Sequence, residues 1–258
     1  MNKSISYDVA GKCALISGGT SGIGLATARL LLENGASVAI VGRQAAKGEQ
    51  VLQSLAEFGG QVIFIAANLT MVERCKYVVT TALKQFGKID ILVNSAGVYQ
   101  ERFIVETTEA EYDKIMDVNV KAAYFLSQQV VEPMKRNGGC IINISSDAGI
   151  KGNPGCSAYC ASKGALIALT KCLAIELSPY PIRVNCICPG DVATPMLESQ
   201  VRQAPNPEHY LKELSELYPL GRVAYPEEVA NLICFLGSSC GEYITGATLS
   251  IDGGLTAR

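Results

Sequence analysis

The chain has 258 residues, 48% of them hydrophobic and 25 of them glycine, which is enough to bury one large α/β core. A net charge of −2 without a basic cluster argues against nucleic acid or an anionic membrane as the main partner. Residues 1–12 lack the apolar core of a signal peptide, and no apolar run reaches the roughly 18 residues of a spanning helix, so a soluble, cytoplasmic protein is expected.

Strand and helix patterns alternate from end to end, the sequence sign of a parallel sheet covered on both faces. In chain order the patterns predict strands over 12–17, 37–41, 62–66, 90–94, 140–145, 183–188 and 248–251. Helices are predicted between them over 23–34, 45–58, 72–86, 109–135, 157–177 and 227–236. Several helices carry end signals: Asn34-Gly35 stops the first, Thr108-x-x-Glu111 has the form of a capping box, and Pro226 before two glutamates suits a first turn. Residues 190–225 break the alternation. That stretch is polar and interrupted by Pro195, Pro205, Pro207 and Pro219, and is expected to be a long loop serving as a substrate lid within one domain spanning 1–258.

The first strand runs through Gly18, Ser21, Gly22, Ile23 and Gly24 directly into a helix. Glycines there permit a tight turn and close backbone approach to a ligand, and the amides of the helix start suit a pyrophosphate. The spacing departs from Gly-x-Gly-x-x-Gly, and no Gly-Lys-Ser/Thr of a Walker loop follows. After the second strand comes Gly42-Arg43, where an NAD site would normally place an acidic residue for the ribose hydroxyls. A guanidinium there pairs with a 2′-phosphate, so NADP is favoured over NAD; the bland alternative is a solvated arginine in a polar turn.

Ser146, Tyr159 and Lys163 supply a hydroxyl, a phenol and a cation within one short stretch. Residues 158–177 are apolar at helical spacing, so Tyr159 and Lys163, four apart, share a face. A free tyrosine titrates near roughly 10, and a fixed ammonium beside it is expected to bring the phenol towards working range. Ser146 ends a buried strand, where a hydroxyl faces the ligand crevice of an open sheet and can bind a carbonyl oxygen. Taken alone, Tyr-x-x-x-Lys also occurs on exposed helices with no catalytic role.

Of the ten cysteines, Cys13, Cys140, Cys172, Cys186, Cys188 and Cys234 sit in apolar runs and read as small buried hydrophobes in a reducing cytosol. Cys156 and Cys160 flank Tyr159, and Cys186 and Cys188 share a strand face. None has zinc spacing, the single histidine, His209, reads as a solvated surface residue, and no metal is expected.

Together Gly18-x-x-x-Gly22-x-Gly24, Asn94-Ser95-Ala96-Gly97, Asn119, Ser146, Tyr159-x-x-x-Lys163 and Pro189-Gly190 resemble the short-chain dehydrogenase/reductase family in its single-domain form, over essentially the whole chain. The resemblance implies a Rossmann-type doubly wound sheet of about seven parallel strands. It implies catalytic Asn119, Ser146, Tyr159 and Lys163, with Asn119 opening a kink in the long helix and holding a water that links Lys163 to solvent. It implies a cofactor site of Gly18, Ser21, Gly22, Ile23, Gly24, Arg43, Asn68, Leu69, Asn94, Ala96, Gly97, Tyr159, Lys163, Pro189, Gly190, Val192 and Thr194. Two positions depart from the pattern. Asn68 stands where the family commonly has Asp, and Ser95 where it has Asn; Ser21 replaces a basic residue frequent in NADP users.

The expected reaction is hydride transfer between NADP(H), or NAD(H), and a carbonyl or secondary alcohol. A small polyol, sugar or other secondary alcohol, a 3-oxoacyl carrier-protein thioester and a steroid-like ketone are the competing substrates. Residues 190–225 and the loop Val98, Tyr99, Gln100 are expected to choose among them. A silent cofactor-binding sensor on the same fold would be expected to lose the tyrosine or the lysine, and both are present. Relatives pair through helices corresponding to 109–135 and 157–177, which implies a homotetramer; Leu166, Leu169, Leu173 and Leu177 agree with burial beyond one core.

Overall fold

The computed structural model describes residues 6–257. Seven strands, β1 (Cys13–Ser17), β2 (Ser37–Gly42), β3 (Val62–Ala66), β4 (Ile91–Asn94), β5 (Gly139–Ile144), β6 (Ile182–Pro189) and β7 (Thr248–Ile251), form one parallel sheet in the order β3-β2-β1-β4-β5-β6-β7. Because the order reverses between β1 and β4, connections leave the carboxyl ends of these neighbours in opposite directions and open a crevice there.

Side-chain alternation divides the strands between two cores. Ile16, Ile40, Val93 and Ile142 meet α1 (Gly22–Glu33) and, later in the chain, α9 (Pro226–Gly237), through Leu31, Leu32, Val229 and Ile233. Leu15, Val41, Leu92 and Ile141 meet the opposite layer, which includes Val78 of α3 (Val72–Phe86) and Leu126 of α5 (Ala122–Asn137). The buried face of α6 (Ser157–Glu176) joins that layer through Ala174.

The end signals operate as their chemistry requires. Asn34 closes α1 and Gly35 follows with φ 81°, Thr108 and Glu111 form a reciprocal capping box on α4 (Glu109–Met116), and Pro226 opens α9. Between α4 and α5, Asp117–Lys121 adopt a π-helical turn that contains Asn119, so the regular helix predicted over 109–135 is interrupted at that residue. The helix predicted over 45–58 is shorter: α2 spans Ala45–Ser54, followed by a 3₁₀ turn with Gly59 at φ 51°.

Four expectations are corrected. Residues 190–225 are not a loop but contain α7 (Pro195–Gln203) and α8 (Pro207–Glu216). Pro195 and Pro207 occupy first-turn positions, where a missing N–H costs nothing, so they start helices rather than break them. Cys172 is exposed, on the face of α6 turned away from the sheet. Leu166 and Leu177 are spent on the chain's own core and Leu169 and Leu173 are half-buried, so the outward face of α6 is instead Ala161, Ala168, Cys172 and Ile175. At 20 residues α6 is also long and apolar enough to cross a membrane by composition, against the sequence expectation, although its buried face carries Ser162, Lys163 and Thr170. His209 is exposed, with Nδ1 3.0 Å from Glu213.

Candidate active site

Two cavities meet at the β1/β4 crevice. The first, about 330 Å³, is lined by the glycine turn, by Arg43 after β2, by Asn68, Leu69 and Thr70 after β3, and by Ala96 and Gly97 after β4. The second, about 310 Å³, contains Ser146, Tyr159, Lys163, Pro189, Gly190 and Val192. Ile23, Ser95, Gly97, Thr194 and Met196 line both, so the two form one continuous cleft.

The glycine turn packs closely on neighbouring chain at two of its glycines. Gly18 has φ 69°, and a Cβ there would stand 2.8 Å from the Ala96 backbone; a Cβ on Gly22 would lie 2.9 Å from Thr194. Ser21 precedes α1 without a side-chain cap and no acidic residue occupies the first turn, leaving the positive end of the helix open to an anion. These features fit a nucleotide pyrophosphate, with Arg43 and Lys47 at the far end of the same cleft. Lys47, four residues after Arg43 on α2, is not singled out by any sequence motif; helical spacing after an arginine was its only signal.

Not every residue implied by the resemblance lines the cleft. Gly24 packs beneath it, where a Cβ would meet the Gly18 carbonyl oxygen at 2.5 Å. Asn94 points into the protein, its amide donating to Ser127 Oγ (3.1 Å) and Asn143 Oδ1 (2.8 Å). The turn that follows is held by Ser17 Oγ, which accepts from the N–H groups of Ser95 and Ala96 at 3.1 Å each. Asn68 Oδ1 accepts from Thr70 N–H (3.3 Å) and Oγ1 (3.1 Å). Asn119 is buried: Oδ1 accepts from Val98 N–H (2.8 Å), and Nδ2 donates to Val98 O and Ser162 Oγ at 3.0 Å each. These bonds tie the loop after β4 to α6.

Tyr159 and Lys163 lie one turn apart on the buried face of α6, with Lys163 Nζ 5.6 Å from the phenol ring centroid. Lys163 is 5% exposed and donates to Ile144 O at 2.9 Å; burial holds its ammonium down at about 8, with Cys186 and Cys188 behind it pulling the other way. Burial also raises the Tyr159 phenol, opposed by a hydrogen bond with Ser146 and reinforced by Asp147, Asp191 and Cys156. The expected lowering by Lys163 is not among the influences on the phenol, whose burial dominates.

The remaining wall draws largely on the two segments expected to choose the substrate, while Asp147 and Lys151 were not singled out by the sequence. Tyr99, its ring edge-on to Tyr159 at 5.0 Å, and Glu101 come from the loop after β4, while Gln100 turns away to hydrogen-bond Glu111. Asp147 and Lys151 follow Ser146; Met196, Leu197 and Gln200 come from α7, and Tyr210 and Leu214 from α8. Asp191 is fastened by Tyr218, whose hydroxyl donates to Asp191 Oδ2 (2.6 Å) and accepts from its N–H (2.7 Å). Backbone bonds from Ala193 N–H to Ala224 O (2.8 Å) and from Ala224 N–H to Asp191 O (2.9 Å) pin the two ends of the segment carrying α7 and α8.

A doubly wound sheet with a glycine turn at its switch point, and a Ser, Tyr and Lys set beside it, defines the class: an oxidoreductase interconverting alcohols and carbonyls with a nicotinamide cofactor. A family model described as enoyl-(acyl carrier protein) reductase matches residues 18–256. An uncharacterized oxidoreductase of Thermotoga maritima is 40% identical over 248 residues, covering 96% of this chain and 98% of the relative. The 3-oxoacyl-(acyl-carrier-protein) reductase FabG of the same organism is 40% identical, covering 95% of this chain and 98% of FabG. Cyclopentanol dehydrogenase of Comamonas testosteroni is 37% identical, with 96% and 98% covered. A solved short-chain dehydrogenase/reductase structure from Brucella melitensis, titled glucose/ribitol dehydrogenase, superposes with a TM-score of 0.89 at 27% identity, covering 97% of this chain and 99% of its own. The chain belongs to the short-chain dehydrogenase/reductase family.

Proposed function

We propose that this protein is a cytoplasmic, NADP(H)-preferring oxidoreductase of a small polyol, sugar or other secondary alcohol and the matching ketone. The observation that carries the reading is the convergence of Ser146, Tyr159 and Lys163 on a cavity that opens directly into the glycine-turn cleft. Bound nicotinamide supplies or takes the hydride. Ser146 and Tyr159 hold the substrate oxygen, and in the reductive direction Tyr159 Oη gives it a proton. Lys163 would hold the ribose hydroxyls of the bound cofactor and keeps a positive charge beside the phenol. Asn119 fixes the loop and helix between which that proton is resupplied.

Preference for NADP rests on Arg43 and Lys47, two cations at the cleft end where a 2′-phosphate would sit. A small hydroxylated substrate suits the cavity's size and its polar lining of Tyr99, Glu101, Asn153, Gln200 and Tyr210. The kinship to FabG favours a 3-oxoacyl carrier-protein thioester as a second reading. An acidic carrier needs basic groups around the entrance, however, and four candidates are paired with carboxylates, Arg102 with Glu111, Lys151 with Asp147, Arg202 with Glu198 and Arg222 with Glu228, leaving exposed Lys212 of α8 without an ion pair among the described residues. We further propose assembly into a tetramer through the outward faces of α5 and α6, where Tyr124 and Ile175 are exposed beside Ala161 and Ala168.

The test is reduced-nicotinamide absorbance with both cofactors across cyclopentanol, ribitol, glucose and a 3-oxoacyl thioester. Tyr159→Phe is expected to lower turnover by about 10²–10⁴-fold or more with cofactor binding retained. Substantial turnover in that variant removes Tyr159 from the chemistry.

A further inference from the structure

Ser146 has a neighbour that the reaction scheme leaves unused. Its hydroxyl donates to Asp147 Oδ1 at 2.8 Å and accepts from Ala148 N–H at 3.1 Å. A serine hydroxyl has a single proton, so while that proton is held by the carboxylate, Ser146 faces Tyr159 with lone pairs only. Reduction, by contrast, needs Ser146 to donate to the substrate oxygen. Asp147 is only 8% exposed, and its other oxygen, Oδ2, lies 3.6 Å from Lys151 Nζ across one turn.

Other charged and titratable groups surround the phenol. The segment after β6 presents Asp191, tied to Tyr218; the loop after β4 presents Tyr99 and Glu101; α8 presents Tyr210. Cys156 precedes α6, Lys163 lies on it, and Cys186 and Cys188 of β6 stand behind Lys163. Among the described residues, Asp147 is the carboxylate that contacts Ser146 directly.

We propose that Asp147 and Lys151 form a switchable charge pair that positions the Ser146 proton, and thereby set the pH at which Tyr159 exchanges its own. Asp147 is a positioning residue that acts through Ser146. With the Ser146 hydrogen held by Asp147, Ser146 offers no donor to the Tyr159 oxygen, and the phenol keeps its proton. As the substrate oxygen binds, the Ser146 hydrogen rotates about the Cβ–Oγ bond from Asp147 to that oxygen, and Tyr159 passes its proton to the same oxygen. The Lys151 ammonium then compensates the carboxylate left behind. The Tyr159 O–H is the one bond broken, and the proton ends on the product alcohol.

The inference rests on Tyr159 being the acid and base of the reaction. It is tested by the pH dependence of kcat for oxidation of the panel alcohol that turns over fastest, where activity rises as the phenol ionises. Asp147→Asn removes a negative charge beside the phenol, so the rising limb is expected about one pH unit lower than in wild type. Lys151→Met leaves the carboxylate uncompensated, and the limb is expected to move up by about half a unit or more. Affinity for the reduced cofactor, read by its fluorescence, should stay within about twofold in both, because neither residue lines the glycine-turn cleft. Limbs that coincide with wild type, or that move in the same direction in both variants, overturn the proposal. If Asp147→Asn does not fold, the partly exposed Lys151→Met decides alone, an unmoved limb overturning it. Loss of turnover in Tyr159→Phe with unmoved limbs refutes only the role of Asp147. Retained turnover in Tyr159→Phe refutes the underlying assignment.

Discussion

Lys163→Met should make the cofactor-free protein more stable while abolishing turnover. Lys163 is buried with one hydrogen bond, to Ile144 O, and no carboxylate forms an ion pair with it among the described residues. Burial brings its ammonium to about 8 from an ordinary 10.5. At about 1.4 kcal/mol per pH unit, that gap is a folding penalty of about 3 kcal/mol. The sign follows from which state holds the proton. Below pH 8 both states are charged and the native state carries the full penalty; between 8 and 10.5 the native state sheds its proton first, and the penalty fades. Methionine keeps the apolar stem without the charge but strips Ile144 O of its donor, costing about 1 kcal/mol. The net gain of about 2 kcal/mol corresponds to a midpoint about 4–8 °C higher near neutrality. Thermal unfolding of both proteins without cofactor, at pH 7 and near pH 10, measures it. A variant melting at or below wild type at pH 7, or a difference that does not narrow at the higher pH, refutes the account of Lys163 as a strained buried cation.

Gly24→Ala should destabilise the protein by about 1–3 kcal/mol, because its Cβ would meet the Gly18 carbonyl oxygen at 2.5 Å and must push backbone rather than a side chain. Cofactor affinity should fall with it, as that push moves the glycine turn; a wild-type denaturation midpoint would show that helix and turn have room. Arg43→Ala should reduce the preference for NADP over NAD by about 10–100-fold, the loss of one charge-assisted contact, measured by titrating reduced-nicotinamide fluorescence. Lys47→Ala should act in the same direction and less strongly, being a point charge without the planar fork. Unchanged ratios in both variants would remove the two cations from cofactor choice.

Local rules made much of this molecule readable in advance. Alternating apolar strands dictated a parallel sheet because each strand is covered on both faces, and β3 and β7 fall on the residues their patterns predict. Capping chemistry is equally local, so Thr108, Asn34 and Pro226 could be assigned from their neighbours alone. Where two rules compete, the chain is harder to read. The prolines at 195 and 207 signal both a break and a first turn, and a helix succeeds because Leu197, Tyr210 and Leu214 have a cavity wall to pack against.

The amino-acid sequence by itself determined the fold class, the glycine turn and the reacting trio, because each depends on residues close together in the chain or on a strand's carboxyl end. Only the tertiary structure decided the electrical state of that trio. Burial holds Lys163 low and Tyr159 high, and Asp147 accepts the hydrogen bond of the Ser146 hydroxyl. Asp191 is fixed by a tyrosine 27 residues away. Desolvation depends on everything that surrounds a group, so neither its size nor its sign relative to a neighbouring charge is written in the spacing of two residues on a helix.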